Sequence, residues 1–200
     1  GNIEWEWHAR DLNIGDFPMA DDCHRFEFAH ANSCAPAPGG NFLINFRHLD
    51  MMAIIDKNTK KFVWSHRERN WGHQHNAEFL DNGNITFFSN GMNNDVLPPR
   101  SRAIEFNPTT GEIVWEYQAP QSWTFFSPIV SSIQRLHTGN TLICEGLTGR
   151  IFEITTKKRL VWEYINPYFN DIFPNDGPSN ILFRAYRYAP NSLEIANHLD

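Results

Sequence analysis

The chain has 200 residues, carries a formal net charge of −6 and is 41% apolar, with 16 Phe and 7 Trp among its aromatic residues. The negative charge excludes a basic nucleic-acid-binding domain, and no run approaches the roughly 18 apolar residues that a transmembrane helix needs. The apolar content is enough for a packed core, because each buried aromatic side chain removes roughly 150–250 Å² from water. The sequence therefore predicts a folded domain with no nucleic-acid partner and no membrane span.

In chain order, the first predicted element is a short apolar strand that contains Trp5, and the same pattern returns at three later positions. The four strings occupy residues 3–7, 62–66, 113–117 and 160–164. A second apolar strand lies upstream of each of the last three strings, at 53–56, 103–106 and 151–154. Turn-forming residues, such as Asn58-Thr59 and Pro108-Thr109-Thr110-Gly111, separate the strands of a pair, so each pair predicts a β-hairpin.

Three further turns contain Gly-Asn, at Gly40-Asn41, Gly83-Asn84 and Gly139-Asn140, and each leads into an apolar strand. A fourth strand is predicted before each of these turns, near residues 28–35, 74–80 and 129–136. Four short strands that recur about every 45–55 residues are typical of a propeller blade. The sequence therefore predicts an all-β fold, a β-propeller with four-stranded blades at about 27–66, 73–118 and 126–165.

The two ends of the sequence predict incomplete blades. Residues 1–9 resemble the last strand of an earlier blade, and residues 181–190 resemble the first strand of a later one. A closed four-bladed ring and a part of a longer propeller both fit this count, and the sequence favours the longer propeller. We therefore expect one propeller domain over 1–200 that needs the rest of the propeller, or another copy of the chain, to complete its ring. The chain starts at Gly1-Asn2, and no signal peptide is visible.

The repeat also predicts which side chains line the central channel. In a propeller the first strands of all blades face this channel, so equivalent positions converge there. In each blade we take two positions on the first strand and one at the end of the second strand. Each position lies at a fixed number of residues from the Asn of the Gly-Asn turn. The polar residues at these registers are His30, Asn32, Arg47, His73, His75 and Asn90. Such donors around one cation predict a pocket for an anion, although a polar channel can also hold only water.

Other chemistry has weaker support in the sequence. His73 and His75 form half of a possible metal site, but no carboxylate occupies an equivalent register, so we predict no metal and no cofactor. Phosphate-binding and dinucleotide-binding glycine motifs are absent. Cys23 and Cys34 flank a predicted strand, and both a local disulfide and reduced thiols fit their spacing.

At these residues the sequence resembles the arylsulfotransferase family of β-propeller enzymes. The resemblance begins with the Trp5 string, continues through His30-Ala31-Asn32-Ser33, Asn45-Phe46-Arg47 and Gln74-His75-Asn76-Ala77, and ends with Phe183-Arg184-Ala185-Tyr186-Arg187-Tyr188. In the family, this stretch is the C-terminal half of a six-bladed ring. The resemblance implies a periplasmic or extracellular protein.

The resemblance also implies a mechanism. Enzymes of the family move a sulfuryl group from an aryl sulfate to a phenol through a sulfohistidine. The matching motifs place the nucleophile at His75, with His30 and Arg47 as further catalytic groups and Asn32 as a ligand of the sulfate or phenolate. We expect His73 and Asn90 to complete the substrate-binding set. His73 competes with His75 for the role of nucleophile, because the alternation of the strand points both side chains inward.

Two other functions remain open at this point. Quinone-cofactor propeller dehydrogenases have blade sequences similar to the string Thr109-Thr110-Gly111-Glu112-Ile113-Val114-Trp115. This string indicates a β-hairpin, however, more than it indicates a particular reaction. A non-catalytic binding or assembly propeller would keep the channel as a ligand pocket without turnover.

Overall fold

The structure is a computed structural model that describes residues 1–20, 23–92, 97–171, 177–190, 192 and 195. Within these residues the regular elements are twelve β-strands and eight 3-10 helices of three residues each, and there is no α-helix. None of the helices in the described part has the length and apolarity to cross a membrane.

The strands form three separate four-stranded sheets, each antiparallel and each built from consecutive strands in order. The first sheet contains β1 (Ala31–Ala37), β2 (Asn41–Phe46), β3 (Met51–Ile55) and β4 (Phe62–Arg67). The second contains β5 (His75–Phe79), β6 (Ile85–Ser89), β7 (Arg102–Asn107) and β8 (Glu112–Tyr117). The third contains β9 (Ser132–Arg135), β10 (Thr141–Glu145), β11 (Arg150–Ile154) and β12 (Leu160–Ile165). The predicted all-β fold is thereby confirmed, with four strands in each of the three sheets.

Short 3-10 helices connect or precede these strands. They span Ala9–Asp11, Ile14–Asp16, Arg25–Glu27, Pro38–Gly40, Arg47–Leu49, Arg69–Trp71, Ser122–Thr124 and Gly146–Thr148. The chain divides into two compact units, Gly1–Ile129 with the first two sheets and Val130–Asp200 with the third.

In the first unit, the central strands are apolar on both faces, and both faces are buried. On β2, Leu43 packs into a cluster shared with the second sheet, whereas the next residue, Ile44, packs into a cluster on the opposite face of the first sheet. On β3, Met52 packs into the cluster shared with the second sheet, and Met51 packs into the cluster on the opposite face. A strand covered on both sides needs consecutive apolar residues rather than alternation, which explains the continuous apolar runs of the sequence.

Asx turns close the hairpins of the first unit between the third and fourth strands. The side chain of Asp56 accepts hydrogen bonds from the backbone N–H groups of Asn58 and Thr59, at 3.1 and 2.7 Å. Asn107 makes the same two bonds to Thr109 and Thr110, at 2.8 and 3.1 Å. Asp and Asn favour such turns because their short side chains reach the backbone two residues further on.

Tryptophan side chains tie the last strand of one repeat to the hairpin of the next. The indole Nε1–H of Trp64 on β4 donates to the carbonyl oxygen of Pro108, in the β7–β8 turn, at 3.1 Å. Trp5 donates in the same way to the carbonyl oxygen of Lys57, in the β3–β4 turn, at 2.8 Å, and stacks on Phe42. Residues 1–9 form no strand, yet Trp5 contacts the first sheet as Trp64 contacts the second.

In the second unit, residues 183–187 lie beside β9. Ser132 Oγ accepts the backbone N–H of Ala185 at 3.0 Å, and Gln134 Oε1 accepts that of Arg187 at 2.8 Å. In the first unit, Ser33 Oγ on β1 accepts the backbone N–H of Ala77 on β5 at 3.1 Å. Residues 183–187 therefore contact β9 as β5 contacts β1, although they form no strand of their own. No disulfide joins Cys23 to Cys34, because all three cysteines are reduced thiols.

Candidate functional site

Buried polar side chains gather where the first strands of the first two sheets meet. β1 and β5 are in contact, and His73, Gln74, His75 and Asn76 are all buried at the start of β5. Asn45, near the end of β2, is also fully buried. Hydrogen bonds connect most of these groups into a network, whereas the side-chain amide of Gln74 and the amide oxygen of Asn45 have no hydrogen-bond partner among the described residues.

The network fixes the protonation state of His75. Its Nδ1 lies 2.8 Å from Asn90 Oδ1 and 2.9 Å from the carbonyl oxygen of His73. Asn90 Nδ2 donates to the carbonyl oxygen of Ser127 at 2.8 Å, which turns the amide oxygen of Asn90 toward His75. Because both partners of Nδ1 are acceptors, Nδ1 carries the hydrogen, and the neutral ring has its lone pair on Nε2.

His75 is neutral over a wide pH range. Burial lowers its pKa from the ordinary value of about 6.5 to about 4, because the charged imidazolium loses its hydration. The hydrogen bonds to Asn90 and to the His73 carbonyl oppose this shift, whereas the positive charges of Arg47 and His30 add to it. A neutral imidazole with a free lone pair is a nucleophile, so His75 has the state that nucleophilic catalysis requires.

His73 lies inside the protein rather than at its surface. It is fully buried, and its Nδ1 donates to the carbonyl oxygen of Arg47 at 3.1 Å. Its backbone N–H donates to Asp50 Oδ1 at 2.8 Å. These contacts connect His73 to the Arg47 backbone and to Asp50, and its role in substrate binding stays a prediction.

Asn32 forms a hydrogen bond with the backbone immediately before His75. Its Nδ2 donates to the carbonyl oxygen of Gln74 at 2.8 Å, and its Oδ1 accepts from Asn45 Nδ2 at 2.6 Å. Asn45 Nδ2 lies equally close, 2.6 Å, to the same Gln74 carbonyl. The register of β1 on β2 shifts between Ala31 and Ser33, and such bulges re-aim side chains next to functional sites. No role of its own was predicted for Asn45 from the sequence, although it lies on β2 two residues before Arg47, which begins the 3-10 helix that follows.

Arg47 and His30 are the two predicted site residues that combine a basic side chain with solvent access. Arg47 is partly exposed, and its guanidinium makes no hydrogen bond or ion pair with any residue that the structure describes. His30 is exposed, and its Nδ1 lies 3.3 Å from Glu27 Oε2. A cation that has no hydrogen-bond or ion-pair partner within the described part of the chain, near a neutral imidazole, is a suitable arrangement for an anionic ligand.

The backbone is strained at the start of the first strands. Positive φ angles occur at Ala29 (67°), His30 (43°) and His73 (64°) in the first unit, and at Val130 (52°) and Ser131 (87°) in the second. Left-handed angles are unfavourable for residues other than glycine, most of all for a β-branched residue such as Val130. Strain of this kind concentrates at functional sites because the surrounding structure must hold it in place.

The third repeat has no titratable group at the register of His75. Ser131 takes the place of His75, and its Oγ accepts the backbone N–H of Gly146 at 3.0 Å. Gly146 itself takes the place of Arg47 and Asn90, and a Cβ there would collide with the carbonyl oxygen of Leu182. The third sheet therefore forms without a histidine at this register.

The sequence also failed to single out His48. It is buried directly after β2, its ring centroid lies 4.5 Å from that of His30, and it lies 6.1 Å from that of His73. Burial lowers its pKa, with smaller contributions from the charges of His30, Arg47 and His73, against a raising effect of its bond to the Glu27 carbonyl. His48 lies in a 3-10 helix between strands, where no repeat register marks it.

A cleft of about 260 Å³ lies elsewhere in the first unit. Its walls include His66, Trp71, Arg102 and Phe106, and none of the six predicted site residues lines it. The histidine network therefore does not depend on this cleft.

Comparison with known proteins gives the following similarities. The sequence profile of the arylsulfotransferase (ASST) family matches residues 8–167, whereas no curated protein matches significantly. A protein of unknown function from Bacteroides caccae is 19% identical with a TM-score of 0.50, over 68% of this chain and 45% of its own. A catalytically inactive virginiamycin B lyase from Staphylococcus aureus, solved with quinupristin, is 16% identical with a TM-score of 0.50, over 70% and 42%. These two likenesses show the β-propeller fold alone, and the chain spans less than half of the length of either structure.

Proposed function

The chain belongs to the arylsulfotransferase family, since the profile covers residues 8–167, and from this premise we propose that it transfers a sulfuryl group from an aryl sulfate to a phenol through a sulfohistidine at His75. The observation that carries the proposal is the hydrogen-bonding state of His75. Asn90 and the His73 carbonyl hold the hydrogen on Nδ1, at 2.8 and 2.9 Å, which leaves the lone pair on Nε2.

The first half-reaction transfers the sulfuryl group to the protein. His75 Nε2 attacks the sulfur of the aryl sulfate, a nitrogen–sulfur bond forms, and the bond between sulfur and the aryl oxygen breaks. The aryl oxygen leaves with the electron pair as a phenolate. In the second half-reaction, the oxygen of an acceptor phenol attacks the same sulfur, the nitrogen–sulfur bond breaks and its electron pair returns to Nε2 of His75. The proton of the acceptor phenol passes to the phenolate released in the first half-reaction or to solvent, and neutral His75 is regenerated. A covalent intermediate divides one difficult transfer into two easier ones.

Arg47 and His30 supply positive charge and hydrogen-bond donors in this proposal. The guanidinium of Arg47 presents a planar set of donors to the sulfuryl oxygens, and no described residue already occupies it. His30 Nδ1 faces the acceptor Glu27 Oε2 at 3.3 Å, so Nε2 of His30 donates only when the ring carries both hydrogens. Fixed donors of this kind stabilise the negative charge that develops on the departing group.

The other predicted residues have supporting roles. Asn90 orients the imidazole of His75, His73 holds the Arg47 backbone, and Asn32 holds the Gln74 carbonyl immediately before His75. Gln74 itself has a fully buried amide without a hydrogen-bond partner among the described residues. An unsatisfied buried amide is costly, so its presence next to the nucleophile is consistent with a functional site.

A trapping experiment tests the proposal. Incubation with an activated aryl sulfate and no acceptor should add one sulfuryl group to the peptide that contains His75, detected by mass spectrometry. The His75→Ala protein should form no adduct, and Arg47→Ala should lower the rate of transfer at least about 100-fold. The variants His137→Ala and Arg10→Ala are matched controls, because both side chains are exposed and outside the network.

The results also separate catalysis from binding alone. If His75→Ala transfers sulfate as fast as the wild type, the nucleophile is a different residue. If the protein turns over no aryl sulfate but binds it in an Arg47-dependent manner, the site is a ligand pocket without catalysis.

A further inference from the structure

Three potential metal ligands lie together at the edge of the histidine network. Glu27 Oε2 is 3.3 Å from His30 Nδ1 and 3.8 Å from His48 Nε2. The ligand atoms of the three side chains all lie within 4.8 Å of one another. The residues come from different places in the sequence, since Glu27 ends a 3-10 helix, His30 precedes β1 and His48 follows β2.

His48 is held as a metal-binding imidazole is usually held. Its Nδ1 donates to the carbonyl oxygen of Glu27 at 2.9 Å, and a carbonyl can only accept, so the lone pair of the neutral ring is on Nε2. Histidines that bind metals commonly donate their second ring N–H to a backbone carbonyl, which fixes the direction of the ligating nitrogen. The buried ring of His48 is thus oriented toward Glu27 Oε2 before any ion binds.

We propose that Glu27 Oε2, His30 Nδ1 and His48 Nε2 bind a divalent transition-metal ion of the zinc type, with a fourth coordination position open to solvent. Two imidazoles and one carboxylate suit Zn²⁺, whereas Ca²⁺ and Mg²⁺ prefer sites composed of oxygen ligands. Tetrahedral ligands at bond lengths of about 2.0–2.1 Å lie roughly 3.3 Å from each other. The observed spacings of 3.3 and 3.8 Å are therefore close to those of an occupied site.

Only small movements are needed to complete this geometry. Glu27 and His30 are exposed, with 62% and 39% of their side chains accessible, so both can adjust while the buried His48 stays fixed. The open fourth position suits a water molecule or an anionic ligand. Because the ion would ligate Nδ1 of His30, it would also fix the hydrogen of that ring on Nε2.

Calorimetric titration of the metal-stripped protein with Zn²⁺, without any aryl sulfate, tests the site. We expect one tightly bound ion per chain in the wild type. Glu27→Gln and His30→Gln should each weaken this binding by at least about 100-fold, since losing even a residue behind a ligand weakens a metal site by about 10–100-fold. Both replacements affect exposed side chains and should leave the fold intact. Glu112→Gln and His137→Gln are the matched controls, since both are exposed and remote in sequence from the cluster.

A second measurement covers the buried ligand. Zn²⁺ should raise the thermal unfolding temperature of the wild type and of both controls, because an ion that binds only the folded state stabilises it, and should not raise that of Glu27→Gln or His48→Gln. The proposal is overturned if the wild type binds no Zn²⁺, or if Glu27→Gln and His30→Gln bind it as tightly as the controls. Neither result bears on sulfuryl transfer by His75, which the trapping experiment measures separately.

Discussion

At the scale of single residues, the environment of His75 determines the pH range in which it can act. Burial lowers its pKa to about 4, so the neutral ring predominates at every pH well above this value. If neutral His75 is the nucleophile, kcat/KM should be constant from neutral pH down to about 5 and should fall only as the pH approaches about 4. An ordinary histidine would give this fall near pH 6.5. A pH–rate profile with a donor whose own charge is constant over this range distinguishes the two.

The Asn90→Asp variant makes the same test sharper. The carboxylate would stand 2.8 Å from Nδ1, where the amide oxygen is now, and a negative charge there favours the imidazolium. The acid limb of the profile should therefore move above pH 4, toward or beyond the ordinary histidine value. An acid limb that is unchanged in Asn90→Asp would show that a group other than His75 governs the rate.

The same pKa has a consequence for stability. His75 binds a proton more readily in the unfolded chain, near pH 6.5, than in the folded protein, near pH 4. Its contribution to the free energy of unfolding is therefore complete above pH 6.5 and is lost as the pH falls from 6.5 toward 4. The loss of activity in acid thus has to be measured where the protein is still folded, for example by circular dichroism at each pH.

At the scale of the elements, the repeated Trp residues are not equivalent. Trp64, Trp115 and Trp162 occupy the same place in the recurring strings of the sequence, yet their surroundings differ. Trp64 is half-buried, packs against the core shared by the first two sheets and donates a hydrogen bond to Pro108. Trp162, on β12, is 43% exposed and lies under the guanidinium of Arg187 at 4.9 Å.

We therefore expect Trp64→Ala to destabilise the protein far more than Trp162→Ala. Removing a buried Trp costs about 3–5 kcal/mol, whereas substitutions at the surface change stability by about 0.5 kcal/mol. Urea-induced unfolding of the two variants should differ by at least about 1 kcal/mol, with Trp64→Phe between Trp64→Ala and the wild type, because it loses the hydrogen bond but keeps most of the ring. Equal losses for both alanine variants would contradict the different burial of the two rings.

At the scale of the whole molecule, β12 is an exposed apolar surface. All six of its residues are exposed, including Leu160, Val161, Trp162, Tyr164 and Ile165. The corresponding strand of the first sheet, β4, has half of its residues covered because the second sheet packs against it. An uncovered apolar strand promotes association, so we expect β12 to pack against further blades, in the same polypeptide or in a second copy of the chain.

Light scattering of the isolated 200-residue chain tests this expectation. Its mass should exceed the 23.2 kDa of a monomer, and Val161→Lys together with Leu160→Glu should reduce the association. A monodisperse monomer that binds no second copy would indicate that this surface is stable when exposed to water.

The sequence was sufficient for the fold because the repeat is expressed in local patterns. Gly-Asn turns, Asx turns at Asp56 and Asn107, and apolar strands each specify structure within a few residues, so their order predicted the four-stranded sheets. The same registers also selected His73 and His75. They could not assign roles, because the atoms that fix His75 are a backbone carbonyl and an amide oriented by Ser127, which is 37 residues away from Asn90.

His48 and Glu27 show the other limit of the sequence. Both lie outside the strands, in or at the ends of 3-10 helices, where neither alternation nor the repeat constrains the direction of a side chain. Their proximity depends on the path of the chain through a left-handed backbone at Ala29 and His30. Positions of this kind become visible only when the three-dimensional structure brings them together.

In each hydrogen bond from a Trp to a backbone carbonyl, the donor and the acceptor residue tolerate substitution to different degrees. At Lys57 and Pro108 the acceptor is a backbone oxygen, which every amino acid supplies, so the turns can change their side chains without losing the bond. At Trp5 and Trp64 the donor is an indole, for which no other residue provides both the ring and the N–H in the same place. Random mutation followed by selection for folding should therefore leave Lys57 and Pro108 variable and the indole positions fixed, so a designer is free to change these two turn positions.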